Sequence, residues 1–458
     1  MNKIELPQTN FSTMWIGPRL SPLEWLSIQS FIYHGYTIAV YLYDMDCEVP
    51  NGAIRVDARN ILPETDIFKA MGSYAIFADA FRYRLLEAVD TIWVDTDCVC
   101  MNSQFPMSME YIFSAQYQGY EPVTNHILKY PAKSEIAQRL SNATIPSELQ
   151  RIYENSTGDV PWGISGPILV SNTLNEMRLF NYAFHTSHFN PINFSDIRVC
   201  FDRAYIRRFI EQTQNSHIVH CSNVFVTLRD EGKSYDKNNI DSDSALGRLY
   251  KRIFLNKKER LIINVSLPLS GTQTFSKAAS DKGLGVIHHN EAIHIFDIQD
   301  HQTRWFAFNN MLTLFDAVSD SPVNHFVSEL MDEYPQSTFM LTRREPLEWV
   351  KSVRFLWEEL SSRPSHFRPL REMVAFIEQL PDVQGYSKIG PFSINLNELS
   401  DEYLAALYNK YNAHVEEIAK QKKIKLIINN LNDGSFERDL QNMFGFAGGN
   451  IDYWRYEQ

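Results

Sequence analysis

Between Phe77 and Asn102 the spacing of hydrophobic positions changes once, from a helical period to a strand. Ala78, Phe81, Leu85 and Ala88 recur three and four residues apart with no Gly or Pro among them, which predicts a helix. Asp79 and Arg82 then share one face of it, a turn apart. Thr91-Ile-Trp-Val94 is a short apolar run, read as a strand, and it leads directly into Asp95-Thr-Asp97. Two carboxylates two residues apart, where an apolar strand gives way to a turn, can meet at one hard cation that keeps open positions for phosphate oxygens.

The same reading extends in both directions. Phe11 to Pro18 predicts a buried strand ending in a turn, Pro22 to His34 a helix, Tyr36 to Tyr43 an apolar strand and Ile54 to Asp57 a shorter one. Alternation of strand and helix is the mark of an α/β nucleotide-binding sheet, whose ligands sit at the carboxyl ends of strands. Asp95 and Asp97 fall at such an end. Arg229 to Asp243 is polar, charged and aperiodic, and reads as a linker. A basic helix is expected from Ala245 to Phe254, and a new apolar strand from Leu261 to Ser266. The expected division is therefore an N-terminal domain over residues 1–240 and a second over 241–458.

Composition narrows the partners. A length of 458 residues suits two domains, and 44% hydrophobic content is enough for two cores. A net charge of −12 argues against nucleic acid, whose backbone requires a basic surface. Five cysteines, all in the first half, suit a reducing compartment without a disulfide framework. Cys98 and Cys100 are read as strand packing. No apolar run approaches a membrane span, so the expectation is a cytoplasmic protein with at most peripheral contact at the inner membrane.

Asp79-x-x-Arg82-Tyr83, an apolar strand and Asp95-x-Asp97 together resemble the DXD sugar-nucleotide transferases of the GT-A fold. The likeness is to bacterial polysaccharide-synthesis and α-1,4-glycosyltransferase-type enzymes, with spacing shared by the glucosylating clostridial toxins. The resemblance implies that Asp95 and Asp97 hold Mn²⁺ or Mg²⁺ on the diphosphate of a uridine-linked (UDP) sugar, with retention of anomeric configuration. Asp79, Arg82 and Tyr83 would lie at the donor, although a helix-surface salt bridge also accounts for Asp79 and Arg82. Trp15 sits where a ring could stack on uracil, or serves as a core residue. The Gly166-Pro167 segment resembles an acceptor-side loop, and a plain loop-to-helix junction explains it equally well. His217 to Asn223 resembles the family's closing segment, which places His220 at the metal and Asn223 at the diphosphate.

In the second half, Leu267-Pro-Leu-Ser-Gly-Thr-Gln-Thr274 joins the strand to a helix through Ala279. Backbone N–H groups at such a junction present positive charge to an oxyanion. The spacing of a nucleotide triphosphatase loop is absent. Another strand, Ser337 to Thr342, delivers Arg343-Arg-Glu-Pro-Leu-Glu-Trp-Val-Lys-Ser352. These two segments resemble P-loop sulfotransferases that use 3′-phosphoadenosine-5′-phosphosulfate (PAPS), an α/β domain with a parallel sheet, over about residues 259–446. The resemblance implies that Ser270, Gly271, Thr272, Gln273 and Thr274 hold the phosphosulfate and that Arg344 and Ser352 grip the 3′-phosphate. His288 and His289 follow the next strand, where a base for the acceptor hydroxyl could lie. Leu269 and Gln273 depart from the family, which carries a basic residue and a second Thr there. Lys277 or Arg343 could substitute for the missing cation. The expectation is a fused enzyme of bacterial surface-polysaccharide synthesis that glycosylates a glycan acceptor, free or lipid-linked, and sulfates the same glycan.

Overall fold

The computed structural model describes the chain except residues 1–5, 117–121, 156–159, 162, 223–234, 255–260, 289–291, 293–294, 297, 361–372, 375, 378–395 and 445–458. It divides into two compact units, Met1–Phe254 and Leu255–Gln458. The helix Ala245–Phe254 therefore belongs to the first unit, on the N-terminal side of the division, not beyond a boundary near 240. Its apolar positions Leu246, Leu249 and Ile253 are buried, and Phe254 meets Trp25 with ring centroids 6.5 Å apart.

The first unit is built on a seven-stranded sheet. Its strands are β1 (Phe11–Trp15), β2 (Ile38–Leu42), β3 (Ile54–Asp57), β4 (Ile92–Val94), β6 (Ile112–Ala115), β7 (Val123–Lys129) and β8 (Ala183–Phe184). Their order is β3-β2-β1-β4-β7-β6-β8. The first four are parallel, and β7 runs antiparallel to both β4 and β6. β2 is buried at every position, as expected of a parallel strand covered on both faces. A separate ribbon pairs β5 (Cys98–Cys100) with β9 (Ile218–His220). The helix Ala75–Ala88 covers one face of the main sheet with Ile76, Phe77, Phe81 and Leu85, all in one core with Tyr41, Trp93 and Phe113.

The second unit holds a five-stranded, wholly parallel sheet in the order β11-β12-β10-β13-β14. These strands are β10 (Ile262–Asn264), β11 (Val286–Ile287), β12 (Ala317–Ser319), β13 (Thr338–Arg343) and β14 (Leu426–Asn430). Each unit is α/β, as the sequence leads one to expect. Among the described residues no helix is long and apolar enough to cross a membrane.

Candidate active sites

The first site forms where β4 ends. Its core is a buried charge network. Arg82 Nη2 lies 3.1 Å from Asp95 Oδ1 and 3.4 Å from Asp79 Oδ1. Nη1 donates to the Asn125 carbonyl, and the guanidinium lies over the Trp93 ring, 5.1 Å from its centre. Trp93 Nε1 donates to Asp95 Oδ1 at 2.8 Å; residues two apart on a strand face the same side. Asp79 accepts from Ser165 Oγ and Asn125 Nδ2, both at 2.7 Å. Arg82 is 4% exposed and Asp79 6%, so this is not a solvated surface pair.

Burial sets the electrostatics. It pushes the Asp79 carboxyl above its ordinary pKa, against the pull of Arg82 and Ser165. Burial likewise outweighs Arg82 at Asp95, whose pKa is also raised. Burial opposes the charge on Arg82, but Asp95 and Asp79 overcome it and raise its pKa.

Asp97 stands on the turn after Asp95, and its Oδ1 is 3.4 Å from His220 Nε2. Burial works against a charged His220, and Asp97 and Asp95 more than compensate, so its pKa rises. His126 stacks on His220 with centroids 4.2 Å apart. Burial, reinforced by His220, holds His126 far below the usual histidine range. His126 Nε2 faces the Phe189 carbonyl at 2.9 Å, and a carbonyl only accepts, so Nε2 carries the proton. Nδ1 then accepts from Thr124 Oγ1 at 2.6 Å.

Asp79, Arg82, Asp95, Asp97, Asn125 and His220 all line one cavity of about 290 Å³. The sequence motifs supply four of these acidic and basic groups and His220. Asn125, His126 and Ser165 are additions that carry no local motif; β7 and the turn before Gly166 bring them in. Tyr83, expected at the donor, is fully buried behind the cavity wall and donates to the Ser165 carbonyl at 2.9 Å. It supports Asp79's neighbours and is not among the cavity's lining residues. Trp15 is half-buried, donates Nε1 to the Arg19 carbonyl at 3.1 Å and has Lys237 Nζ 5.6 Å from its ring centre. It is not among the cavity's lining residues. Gly166 precedes the helix Pro167–Glu176, so its segment is a loop-to-helix junction. Asn223 lies outside the described residues.

The second site sits at the carboxyl end of β10. Gly271 adopts φ 81° at the start of the helix Thr272–Asp281. A Cβ there would stand 2.9 Å from Leu431 Cδ2 and 3.0 Å from Phe436 Cζ, so only glycine suits both the turn and the packing. Trp349 Nε1 donates to the Pro268 carbonyl at 2.9 Å, and Tyr411 Oη to the Val265 carbonyl at 2.6 Å. Arg344 Nη1 donates to the Leu269 carbonyl at 2.8 Å and to Ser352 Oγ at 3.2 Å. The two sequence segments thus meet, with Arg344 tied to both. Ser270 Oγ is buried and has no hydrogen-bond partner among the described residues.

Thr272 Oγ1 donates to Asp320 Oδ2 at 2.7 Å, and His288 Nε2 lies 3.4 Å from the same oxygen. Asp320 escapes a motif reading because it reaches the loop only through the β12–β10 pairing. Gln273 is exposed and Thr274 half-buried on the first helical turn. His289 lies outside the described residues. Neither proposed substitute for the missing loop cation is turned to the loop. Lys277 pairs with Asp281 at 2.8 Å on an exposed helix face, and Arg343 pairs with Glu416.

Residues 261–438 match the family model described as a sulfotransferase domain. The C-terminal unit carries a sulfotransferase domain. The match lies within the stretch of about 259–446 expected from the two segments. A stretch of 47 residues is 40% identical to Ava biosynthesis cluster protein M of Aspergillus versicolor. That stretch is 10% of this chain, and it spans 18% of that protein's length. Among solved structures, PaToxG Glycosyltransferase aligns over 54% of this chain and 87% of its own, at 14% identity and a TM-score of 0.29.

Proposed function

We propose that the chain is a two-site transferase of surface-polysaccharide synthesis. The N-terminal unit moves a sugar from a UDP-linked donor to a glycan acceptor, and the sulfotransferase domain moves a sulfuryl group from PAPS to the same glycan. The sugar-transfer reading is carried by one observation. Asp79, Arg82 and Asp95 form a buried network on the wall of the cavity that Asp97 and His220 also line.

The donor set fits a divalent cation: Asp97 and His220 are neighbouring carboxylate and imidazole donors at the cavity. When bound there, Mn²⁺ or Mg²⁺ would supply charge neutralisation for a leaving diphosphate. The chain's own residues prepare the rest. Arg82 stays charged and fixed, which suits it to a phosphate oxygen or sugar hydroxyl without reorganisation. Asp79, held by Ser165 and Asn125, offers a directed acceptor to a sugar hydroxyl. Water-driven hydrolysis of UDP-sugars by the full chain tests this. Release of UDP should require a divalent cation and be lost in Asp97→Ala; turnover unchanged in Asp97→Ala would remove the metal assignment.

The sulfuryl-transfer reading rests on the domain match, the loop-to-helix turn at Gly271 and the position of Arg344 and Ser352. The acceptor oxygen would attack sulfur, the bond to the bridging phosphate oxygen would break, and the acceptor proton would pass to His288. One observation favours a second reading, a domain that binds its nucleotide without transfer. Leu269 stands where a basic residue is expected in the loop, and its carbonyl accepts from Arg344 Nη1. Sulfuryl release that rises in Leu269→Lys would favour the catalytic reading.

A further inference from the structure

The N-terminal cavity has a neighbouring donor that neither Asp95 nor the Asp97–His220 pair accounts for. β5 and β9 run antiparallel with Cys98 directly opposite His220. Side chains directly opposite one another leave the same face of a ladder. Asp97 precedes Cys98 on the turn, and one ligand atom from each of Asp97, Cys98 and His220 lies within 4.8 Å of the other two. Among the described residues this is the single such group of His, Cys, Asp or Glu side chains. Cys98 packs in the core as a strand residue, and the ribbon also brings its Sγ near the two donors.

We propose that Cys98 is a third protein donor to the cation of this cavity, so that the site takes a thiophilic divalent ion of the Zn²⁺ class more tightly than Mn²⁺ or Mg²⁺. The inference rests on reading the cavity as a divalent-cation site.

Carboxylate oxygen, imidazole nitrogen and thiolate sulfur are the donors that Zn²⁺ and Co²⁺ accept together, whereas Mg²⁺ keeps to oxygen. Ligands at 2.0–2.3 Å round a tetrahedral ion stand about 3.5 Å apart, so the trio, within 4.8 Å of one another, closes by at most about 1.3 Å to hold one. Asp97 and His220 border the cavity, which leaves the fourth position open to a ligand oxygen there. Binding converts the Cys98 thiol to thiolate and releases one proton to solvent. The Sγ contact it gives up is a weak one, 3.8 Å from the His126 carbonyl. Cys100, two residues on, has its Sγ 3.3 Å from the Asn102 carbonyl and is not part of the group.

The test is a Co²⁺ titration of the full chain followed by absorption. One equivalent should produce a thiolate-to-cobalt charge-transfer band in the near ultraviolet. Zn²⁺ should abolish the band, and equal Mg²⁺ should not. Cys98→Ser should lose the band and bind Zn²⁺ at least about tenfold more weakly, the cost of losing even an outer-shell partner, while Mn²⁺ binding followed by electron paramagnetic resonance persists. Asp97→Asn should weaken the binding of Co²⁺, Zn²⁺ and Mn²⁺ alike. Should Cys98→Ser not fold, Cys98→Ala and the wild-type band with its loss in Asp97→Asn decide. Co²⁺ bound without the band, or unchanged Zn²⁺ affinity in a folded Cys98 variant, overturns the role of Cys98 and leaves the cation site standing. No binding of Co²⁺, Zn²⁺ or Mn²⁺ to the folded chain overturns both.

Discussion

Arg82 Nη2 stands 3.1 Å from Asp95 Oδ1, which ties the helix Ala75–Ala88 to the end of β4 across the wall of the cavity. The same nitrogen reaches Asp79, so one buried cation serves the buried Asp79 and the half-buried Asp95 carboxylate. Removing it leaves both without that charge in a site of low polarity. Arg82→Ala should lower the unfolding free energy of the N-terminal unit by about 3–5 kcal/mol, read from urea denaturation. Arg82→Lys should recover part of that stability but not donor turnover, because an ammonium cannot span both carboxylates and the Asn125 carbonyl.

Gly166 makes a second prediction, one of shape. A Cβ on it would lie 2.9 Å from Asn125 Nδ2 and 3.1 Å from Asp79 Oδ2. Gly166→Ala should displace Asn125 and Asp79, cost about 1–3 kcal/mol and reduce UDP-sugar turnover. Gly163→Ala is the control: its nearest contacts are at 3.5 Å, an ordinary distance. It should leave turnover unchanged when the two variants are assayed together.

His217, half-buried, and His325, buried, join His126 in setting the acid limit. Burial brings His217 and His325 down from 6.5 to about 3. Below about 6.5 the unfolded chain takes up protons that the folded one refuses. Stability is therefore retained above 6.5 and lost as pH falls towards 3, with a slope approaching ~1.4 kcal/mol per pH unit for each histidine. His325→Gln should flatten that slope for the C-terminal unit, and His217→Asn for the N-terminal one, in denaturation series from pH 7 to pH 4.

Much of this architecture can be read from the chain, for reasons tied to particular elements. β2, β4, β10 and β13 are strongly apolar runs, and Asp95, Asp97 and Arg344 follow directly from strand ends, where local pattern and site coincide. Asp79 and Arg82 are legible as a pair, but their burial is not, because it depends on Trp93 and Asn125 closing over them. The partners that arrive through long-range pairing leave no local signal. Asn125 and His126 come from an antiparallel strand, Cys98 meets His220, 122 residues further along the chain, and Asp320 reaches Thr272 across β12. Tyr83, next to Arg82 in the chain, packs in the core behind the cavity's lining residues, a placement its spacing does not reveal.

The reading of the C-terminal unit depends most on Arg344, which joins the Leu269 carbonyl to Ser352. The most direct measurement is calorimetric titration of the full chain with 3′,5′-adenosine bisphosphate, the product left when PAPS gives up its sulfuryl group. One site should bind with micromolar affinity, and Arg344→Ala should lose at least tenfold of it, since hydrogen bonds to a charged group contribute about 1.5–3 kcal/mol. Absence of binding to the folded wild-type chain, or equal binding by a folded Arg344→Ala, would contradict a PAPS site in this domain.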